Sequence, residues 1–143
     1  MARIKIDMPS RYCFNTKYTV SIGDINYGGH LSNDAVLRIV HNARIEFLEK
    51  KLMTEFKIGK NGLIMSDAVI QYLSEAFRGD ELTIQIAIDN ITKLGFDLFY
   101  LLKNRNAKVV AKIKTGMLFF DYNLHKISAE AEDTLTKLEA FNK

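Results

Sequence analysis

The residues best suited to acid–base chemistry are concentrated in one short segment of the chain. Residues 24–34 read D-I-N-Y-G-G-H-L-S-N-D. They include two carboxylates, one imidazole and two side-chain amides: Asp24, Asp34, His30, Asn26 and Asn33. Carboxylates and imidazoles can take a proton from water or act as nucleophiles, and an amide can orient a bound water. This segment is therefore the candidate catalytic region.

A glycine pair lies in the middle of the segment, and a helix is predicted directly after it. Gly28 and Gly29 permit close approach of the backbone to a ligand. The first turn of a helix leaves main-chain N–H groups without partners and carries a partial positive charge. Such donors can polarise a thioester carbonyl and stabilise the oxyanion that forms when a nucleophile attacks it.

Each of these residues also has a structural interpretation. Asp24 can bond the N–H groups of its loop, Asn33 can cap the helix, and Asp34 is favourable in the first turn of any helix. The glycines can form a simple turn, and His30 is a single imidazole. The clustering of the residues, more than any one of them, favours a functional site.

The remaining candidate nucleophiles and ligands are weaker. Cys13 is the only cysteine, and no histidine lies near it in sequence, so a buried, structural thiol is the favoured interpretation. A structural role is favoured for His41 and a solvated position for His125. The three histidines lack metal-ligand spacing, and the chain has no G-x-S-x-G elbow or phosphate-binding glycine loop. No metal site is predicted.

The elements that flank the segment are predicted by hydrophobic periodicity. Tyr18, Val20 and Ile22 alternate with polar residues, which predicts a half-buried strand that ends at Gly23. Residues 33–53 predict one long helix with a broad apolar face. The apolar residues at helical spacing are Val36, Leu37, Val40, Ala43, Phe47 and Leu48.

The second half of the chain predicts four long strands and a short helix. Apolar residues alternate with polar ones within 82–89, 96–102 and 109–119, and residues 62–76 contain extended apolar runs. Short polar breaks between these strands predict antiparallel hairpins. Residues 128–141 predict a C-terminal helix. We therefore expect an α+β fold in which a curved antiparallel sheet packs around the long helix, with an apolar edge and outer face that favour self-association.

Size and composition limit the classes of function. The 143 residues suit one domain, residues 1–143, and no linker or repeat follows Pro9. The formal charge of +3 disfavours nucleic-acid binding. No stretch approaches the about 20 apolar residues of a membrane span, and the N-terminal M-A-R-I-K-I-D-M-P-S is unlike a signal peptide. A cytoplasmic location is expected.

The segment D-I-N-Y-G-G-H-L-S-N-D resembles the signature of the 4-hydroxybenzoyl-CoA thioesterase-like branch of the hotdog superfamily, roughly D-x-D-x-x-x-H-V-N-N before a central helix. A-V-I-Q-Y-L-S-E-A-F-R-G-D-E-L-T-I and V-V-A-K-I-K-T-G-M-L-F-F-D resemble two strands of that family, so the resemblance covers about residues 15–125. It implies a hotdog fold, a five-stranded antiparallel sheet wrapped around the helix. It also implies homodimers or homotetramers with active sites between subunits, which hydrolyse an acyl-CoA or another acyl thioester without a metal or prosthetic group.

The chain departs from this signature where the family has its catalytic Asp. Asp24 matches the first Asp, but Asn26 replaces the second, and an amide is neither a general base nor a carboxylate nucleophile. Our hypothesis is that Asp34 or His30 activates water and Asn26 orients it, while helix amides near residues 30–33 receive the oxyanion. The expected substrate-binding residues are Tyr27, Gly28, Gly29, Asn33 and Arg78.

Two other functions fit a hotdog fold. Asn26 favours a non-hydrolytic acyl-thioester or fatty-acyl binding protein. A hotdog dehydratase is disfavoured, because such enzymes place a catalytic His before a Pro-Gly turn and this chain has only Pro9. Several cations suit the phosphates of coenzyme A or simply form a solvated face: Arg78, Lys93, Lys108, Lys112 and Lys114. The sequence does not identify the acyl group of the substrate. It also does not show whether the thiol is coenzyme A or a carrier protein.

Overall fold

The computed structural model describes residues 3–142. Residues 1, 2 and 143, which belong to the predicted domain and include the start of the N-terminal segment, lie outside the described residues. The strands are β1 (Phe14–Thr19), β2 (Gly62–Tyr72), β3 (Glu81–Thr92), β4 (Gly95–Lys103), β5 (Val109–Asp121) and β6 (Lys126–Ile127). The helices are α1 (Asn33–Lys50) and α2 (Glu132–Glu139), with short 3-10 helices at Ile22–Asp24 and Ala140–Asn142.

All strands pair antiparallel in one sheet, in the order β1-β3-β4-β5-β2, with β6 added beside β5. This confirms the α+β class and the two predicted helices, and it is consistent with a hotdog fold. The prediction of five strands was wrong, because the sheet has six. The missed strand, β6, has two residues, which is too short for an alternating pattern, and it follows a turn in which His125 has a φ of 53°.

The predicted apolar face of α1 forms the core with one face of the sheet. Val36, Val40, Ala43, Phe47 and Leu48 are at most 2% exposed. The strand residues that complete this core come from the alternating positions of β3 and β4: Leu82, Ile84, Ile86, Ile88, Leu98, Tyr100 and Leu102. The helix ends at Lys50, slightly earlier than predicted, and Leu52 then adopts a φ of 61°.

The opposite face of the sheet is partly covered by the chain itself. Phe99 and Leu101 alternate with the core residues of β4, yet they are only 7% and 8% exposed. The N–H of Ile6 donates to Gln71 Oε1 of β2, and the N–H of Cys13 donates to Ile86 of β3. These bonds place Ile6 beside β2 and Cys13 beside β3, and two strands separate β2 from β3 in the sheet. The described residues leave the edge of β2 more open to self-association than this face.

Two connections bring distant parts of the chain together at the start of α1. The first strand ends at Thr19, earlier than predicted, because Ser21 and Asp24 bond each other and close a 3-10 turn. After β2 ends at Tyr72, residues 73–77 run beside the loop before α1, where the N–H of Leu31 donates to the carbonyl of Ala76 (2.7 Å).

Among residues 3–142, no helix has both the length and the apolar character needed to cross a lipid bilayer.

Candidate active site

Asn26 holds the loop that precedes α1. Its side-chain oxygen, Oδ1, accepts hydrogen bonds from the N–H groups of Gly28 (3.0 Å) and His30 (3.1 Å). Its own N–H donates to the carbonyl of His30 (2.8 Å), and its carbonyl accepts the N–H of Gly29 (3.0 Å), which has a φ of 83°. These bonds fix the backbone of His30. The oxygen that was expected to orient a water is therefore engaged within the loop.

Asp24 is fully buried and joins three elements. Its Oδ2 accepts hydrogen bonds from the Tyr18 hydroxyl (2.6 Å) and the Ser21 N–H (2.9 Å), and its Oδ1 lies 2.8 Å from Nη1 of Arg38 on α1. Burial raises the pKa of Asp24, but the hydrogen bonds from Tyr18, Ser21 and Arg38 outweigh it and hold the pKa below its usual value. Asp24 has no exposed surface that a substrate can contact.

Asp34 lies at the exposed start of α1. The Ser32 hydroxyl donates to its carboxylate, and this bond, together with the N–H of Asp34 itself, lowers the pKa of Asp34. Because the Ser32 side chain is turned toward Asp34, it does not cap the main-chain N–H groups of the first turn. Most N–H groups here already have acceptors, because those of His30, Leu31 and Ser32 donate to Asn26 Oδ1 and to the carbonyls of Ala76 and Asp24. The N–H of Ala35 donates to the carbonyl of Ser32 (3.2 Å). Among residues 3–142, the N–H of Asn33 is therefore the first-turn donor left to receive an oxyanion, rather than the set of amides expected over residues 30–33.

A cavity of about 490 Å³ opens between this loop and the segment that follows β2. It is lined by Asn26, Gly28, His30, Leu31, Asn33, Tyr72, Leu73, Ser74 and Glu75. The Tyr72 hydroxyl donates to the carbonyl of Asn33 (3.0 Å) and joins the end of β2 to the start of α1. Four of the predicted site residues thus line one cavity: Asn26, Gly28, His30 and Asn33.

The other predicted site residues lie elsewhere. Asp34 lines a second cavity of about 440 Å³ along α1, together with Arg38, His41 and Arg44. Asp24, Tyr27, Gly29 and Arg78 line neither cavity. Tyr27 and Arg78 are exposed, and Gly29 forms the turn.

His30 is held by residues that sequence analysis did not single out. Its Nδ1 lies 3.1 Å from Glu75 Oε1, and its ring packs against Phe77 with centroids 5.2 Å apart. The backbones of His30 and Phe77 also form an antiparallel bridge. Glu75 is part of the segment that resembled a family strand, but only the path of the chain after β2 places it beside His30.

A second histidine–carboxylate pair lies further along α1. His41 Nε2 is 2.7 Å from Glu55 Oε1. Beside it, the buried Arg44 donates to the Tyr100 hydroxyl (3.0 Å), which lies 2.8 Å from the Thr115 hydroxyl. Sequence analysis missed Arg44, because a charged residue at that position gives no sign of burial.

The remaining candidates lie outside the loop. Burial raises the pKa of the Cys13 thiol, which disfavours a reactive thiolate. Lys114 pairs with Asp67 (2.8 Å) and Asp97 (3.4 Å), so its charge is already compensated. Among the residues described, no three His, Cys, Asp or Glu side chains are arranged to hold a metal ion.

A family model matches most of the chain. Residues 20–138 match the model of the thioesterase-like superfamily. A search of curated protein sequences finds no match.

Solved structures show the same fold at low sequence identity. A 1,4-dihydroxy-2-naphthoyl-CoA thioesterase from Synechocystis is 19% identical, with a TM-score of 0.77 over 87% of this chain and 94% of that one. A hypothetical protein from Staphylococcus aureus, solved in complex with CoA, is 18% identical, with a TM-score of 0.81 over 96% of this chain and 88% of that one. A predicted thioesterase from Bacillus stearothermophilus is 17% identical, with a TM-score of 0.77 over 91% of this chain and 96% of that one.

Proposed function

This chain belongs to the thioesterase-like superfamily, and on that basis we propose that it hydrolyses an acyl-CoA to a free acid and coenzyme A. The observation that carries the proposal is the cavity of about 490 Å³ at the start of α1. It combines an imidazole, His30, with the first-turn N–H of Asn33, for which residues 3–142 supply no acceptor. An imidazole and an oxyanion donor are the two functions that attack of water on a thioester needs.

The proposed reaction uses groups of the loop and of α1. The thioester carbonyl oxygen lies at the first-turn N–H of Asn33, where the helix dipole favours negative charge. A general base removes a proton from water as its oxygen bonds to the carbonyl carbon. The carbon–sulfur bond then breaks, and the departing thiolate receives that proton from the base. No prosthetic group takes part in these steps, since coenzyme A enters as part of the substrate.

Two residues are candidates for the base. Asp34 stays ionised because its pKa is lowered, but a lowered pKa also makes it a weaker base. His30 lines the cavity, and imidazole is the side chain that most often accepts a proton at neutral pH. Asp24 serves as a positioning residue, since its burial keeps it from the substrate.

We further propose that the site lies between subunits of a homodimer, which can pair into a homotetramer. β2 is an edge strand of the sheet. Four consecutive residues along it are exposed: Met65, Ser66, Asp67 and Ala68. Both cavities border β2 or the segment after it. A second subunit at this edge would cover both cavities and separate them from bulk solvent.

Coenzyme A as the thiol portion of the substrate is supported by the structural neighbour solved with CoA. In this proposal Gly28, which lines the cavity, contacts the acyl thioester, and Tyr27, Gly29 and Arg78, which lie outside the cavity, contact the part of the coenzyme that extends from it. Arg78 is exposed after β2 and is the nearest cation in sequence to Glu75.

Hydrolysis of a panel of acyl-CoAs, of varied chain length and aromaticity, by the purified chain tests the proposal. Release of free thiol should be seen for at least one member and should fall in His30→Ala. The alternative is a non-hydrolytic acyl-thioester binding protein, which the engagement of Asn26 within the loop favours. Calorimetric binding of acyl-CoA without thiol release across the panel would establish that alternative.

A further inference from the structure

His30 has three supports, one from the side chain of Asn26 within its own loop and two from the connection between β2 and β3. The loop bonds of Asn26 fix its backbone. Phe77 packs on its ring, and Glu75 contacts its Nδ1 at 3.1 Å. Glu75 and His30 both line the cavity at the start of α1. Phe77 and Glu75 come from the connection between β2 and β3, whereas His30 comes from the loop before α1.

The geometry of this contact selects one form of the imidazole. Glu75 Oε1 lies 3.1 Å from Nδ1 as an ion-pair contact, and a carboxylate at this distance favours the tautomer that carries its proton on Nδ1. The lone pair is then on Nε2, and no residue within 3–142 forms a hydrogen bond with that atom. The Cδ2–Nε2 edge of the ring lies beside Gly28, which lines the same cavity: a Cβ on Gly28 would be 3.5 Å from Cδ2 and 3.9 Å from Nε2.

We propose that Glu75 is the positioning residue that makes His30 the general base of this site, which rests on the proposed thioesterase function. Nε2 of His30 takes a proton from water as the water oxygen bonds to the thioester carbon. Glu75 stabilises the imidazolium that forms. When the carbon–sulfur bond breaks, Nε2 returns the proton to the thiolate, and the neutral imidazole is restored.

This arrangement accounts for the departure at Asn26. In the signature that the loop resembles, the carboxylate is supplied from within the loop. Here the loop side chain is an amide that holds the backbone, and the carboxylate is supplied by a different part of the chain. Glu75 is 64% exposed and the His30 side chain 34%, so the pair contributes little to folding stability. Its contribution is to the orientation and charge of the imidazole.

Kinetics of Glu75→Ala and Glu75→Gln against the best acyl-CoA of the panel test the proposal. Gln keeps the hydrogen-bond acceptor but lacks the charge, so kcat should decrease in the order wild type, Glu75→Gln, Glu75→Ala. We expect a total loss of about 10- to 100-fold with KM within about threefold, because orienting a general base affects the chemical step. Glu139→Gln, an exposed carboxylate on α2, is the matched control and should keep the wild-type kcat.

A kcat of Glu75→Ala within twofold of the wild type, or a loss that lies entirely in KM, would overturn the assignment of Glu75. Such a result in a chain that still hydrolyses acyl-CoA leaves the proposed function intact. Absence of hydrolysis by the wild type across the panel instead overturns the proposed function.

Imidazole nitrogen chemical shifts give a readout that does not depend on activity. The chain has three histidines, and single His variants assign their signals. His30 should show the Nδ1–H tautomer in the wild type and lose that preference in Glu75→Ala. His41 is an internal reference, because Glu55 contacts it through Nε2. An unchanged His30 tautomer in Glu75→Ala would contradict the proposal.

Discussion

The two ends of the segment 24–34 contain similar residue types in opposite environments. At the first end, the carboxylate of Asp24 is fully buried and is bonded to Tyr18, Ser21 and Arg38. At the other end, His30 and Asp34 face cavities, and their partners, Glu75 and Ser32, leave part of each side chain open. A short signature thus separates into one end that stabilises the fold and another that is open to a ligand.

The largest effect on stability should come from removing the buried carboxylate. Asp24→Ala leaves the Tyr18 hydroxyl, the Ser21 N–H and the Arg38 guanidinium without their shared acceptor. We expect the free energy of unfolding, measured by urea denaturation, to fall by about 2–4 kcal/mol. Asp34→Ala removes an exposed carboxylate and is the control, with an expected change below about 0.5 kcal/mol. Equal losses of unfolding free energy in Asp24→Ala and Asp34→Ala would contradict the view that only the Asp24 end of the segment stabilises the fold.

At the open end the largest effect should be on turnover. His30→Ala should lower kcat by roughly 100-fold, which corresponds to about 2.7 kcal/mol in activation free energy. The free energy of unfolding should change by less than about 1 kcal/mol, because about one-third of the His30 side chain is exposed. Added imidazole should restore part of the activity in a thiol-release assay. Normal turnover by a folded His30→Ala chain would exclude His30 as the base.

The lowered pKa of the buried Asp24 carboxyl also predicts how the free energy of unfolding depends on pH. The folded-state pKa of Asp24 is below its usual value, so its contribution is fully present above the unfolded pKa of about 3.9 and is lost as pH falls through the folded pKa. The difference in unfolding free energy between the wild type and Asp24→Asn should therefore be constant from pH 7 to about pH 5 and shrink below about pH 4. Urea titrations at several pH values measure it, and a difference that grows in acid would contradict it.

Asp34→Asn should have a smaller effect on activity than His30→Ala. If His30 is the base, loss of the Asp34 carboxylate should lower kcat by less than about threefold, because only a nearby charge is removed. A loss as large as that of His30→Ala would instead assign the base to Asp34.

The smallest effect is expected at Asn26, where this chain departs from the family signature. Asn26→Asp keeps an oxygen that can accept the N–H groups of Gly28 and His30, so the loop should be preserved. We expect the unfolding free energy to stay within about 0.5 kcal/mol of the wild-type value. We expect kcat to stay within about threefold of the wild-type value. A large rise in kcat in Asn26→Asp would show that a carboxylate at this position can still act as the catalytic group in this loop.

Much of the fold follows from periodicity in the sequence. The strict alternation at Leu82, Ile84 and Ile86 predicted β3, and the helical spacing of Val36, Val40 and Phe47 predicted α1; both patterns reflect burial of one face. The two-residue β6 was missed because a pattern needs several residues. The burial of Phe99 and Leu101 was not anticipated, because alternation along β4 predicts only one buried face.

The predicted loop before a long helix is present in the fold, and the family match confirms the resemblance that suggested it, whereas its catalytic role stays a prediction. The sequence itself determined the composition of the loop and the start of α1, since turn residues and helix-capping residues act through bonds between near neighbours. It did not distinguish the roles of residues within the loop. Asp24, Asn26 and Asp34 are all plausible catalytic residues by type, and burial and hydrogen bonding alone separate them.

The partner of His30 could be identified only from the folded chain. Glu75 lies beyond the end of β2, and nothing in its own neighbourhood marks it, because a glutamate near a turn is ordinary. The pairing of β2 with β5 and the bonds of Leu31 to Ala76 and Tyr72 to Asn33 bring it to the loop. Local patterns specify which residues are available, whereas contacts between distant segments depend on how a whole sheet pairs and packs.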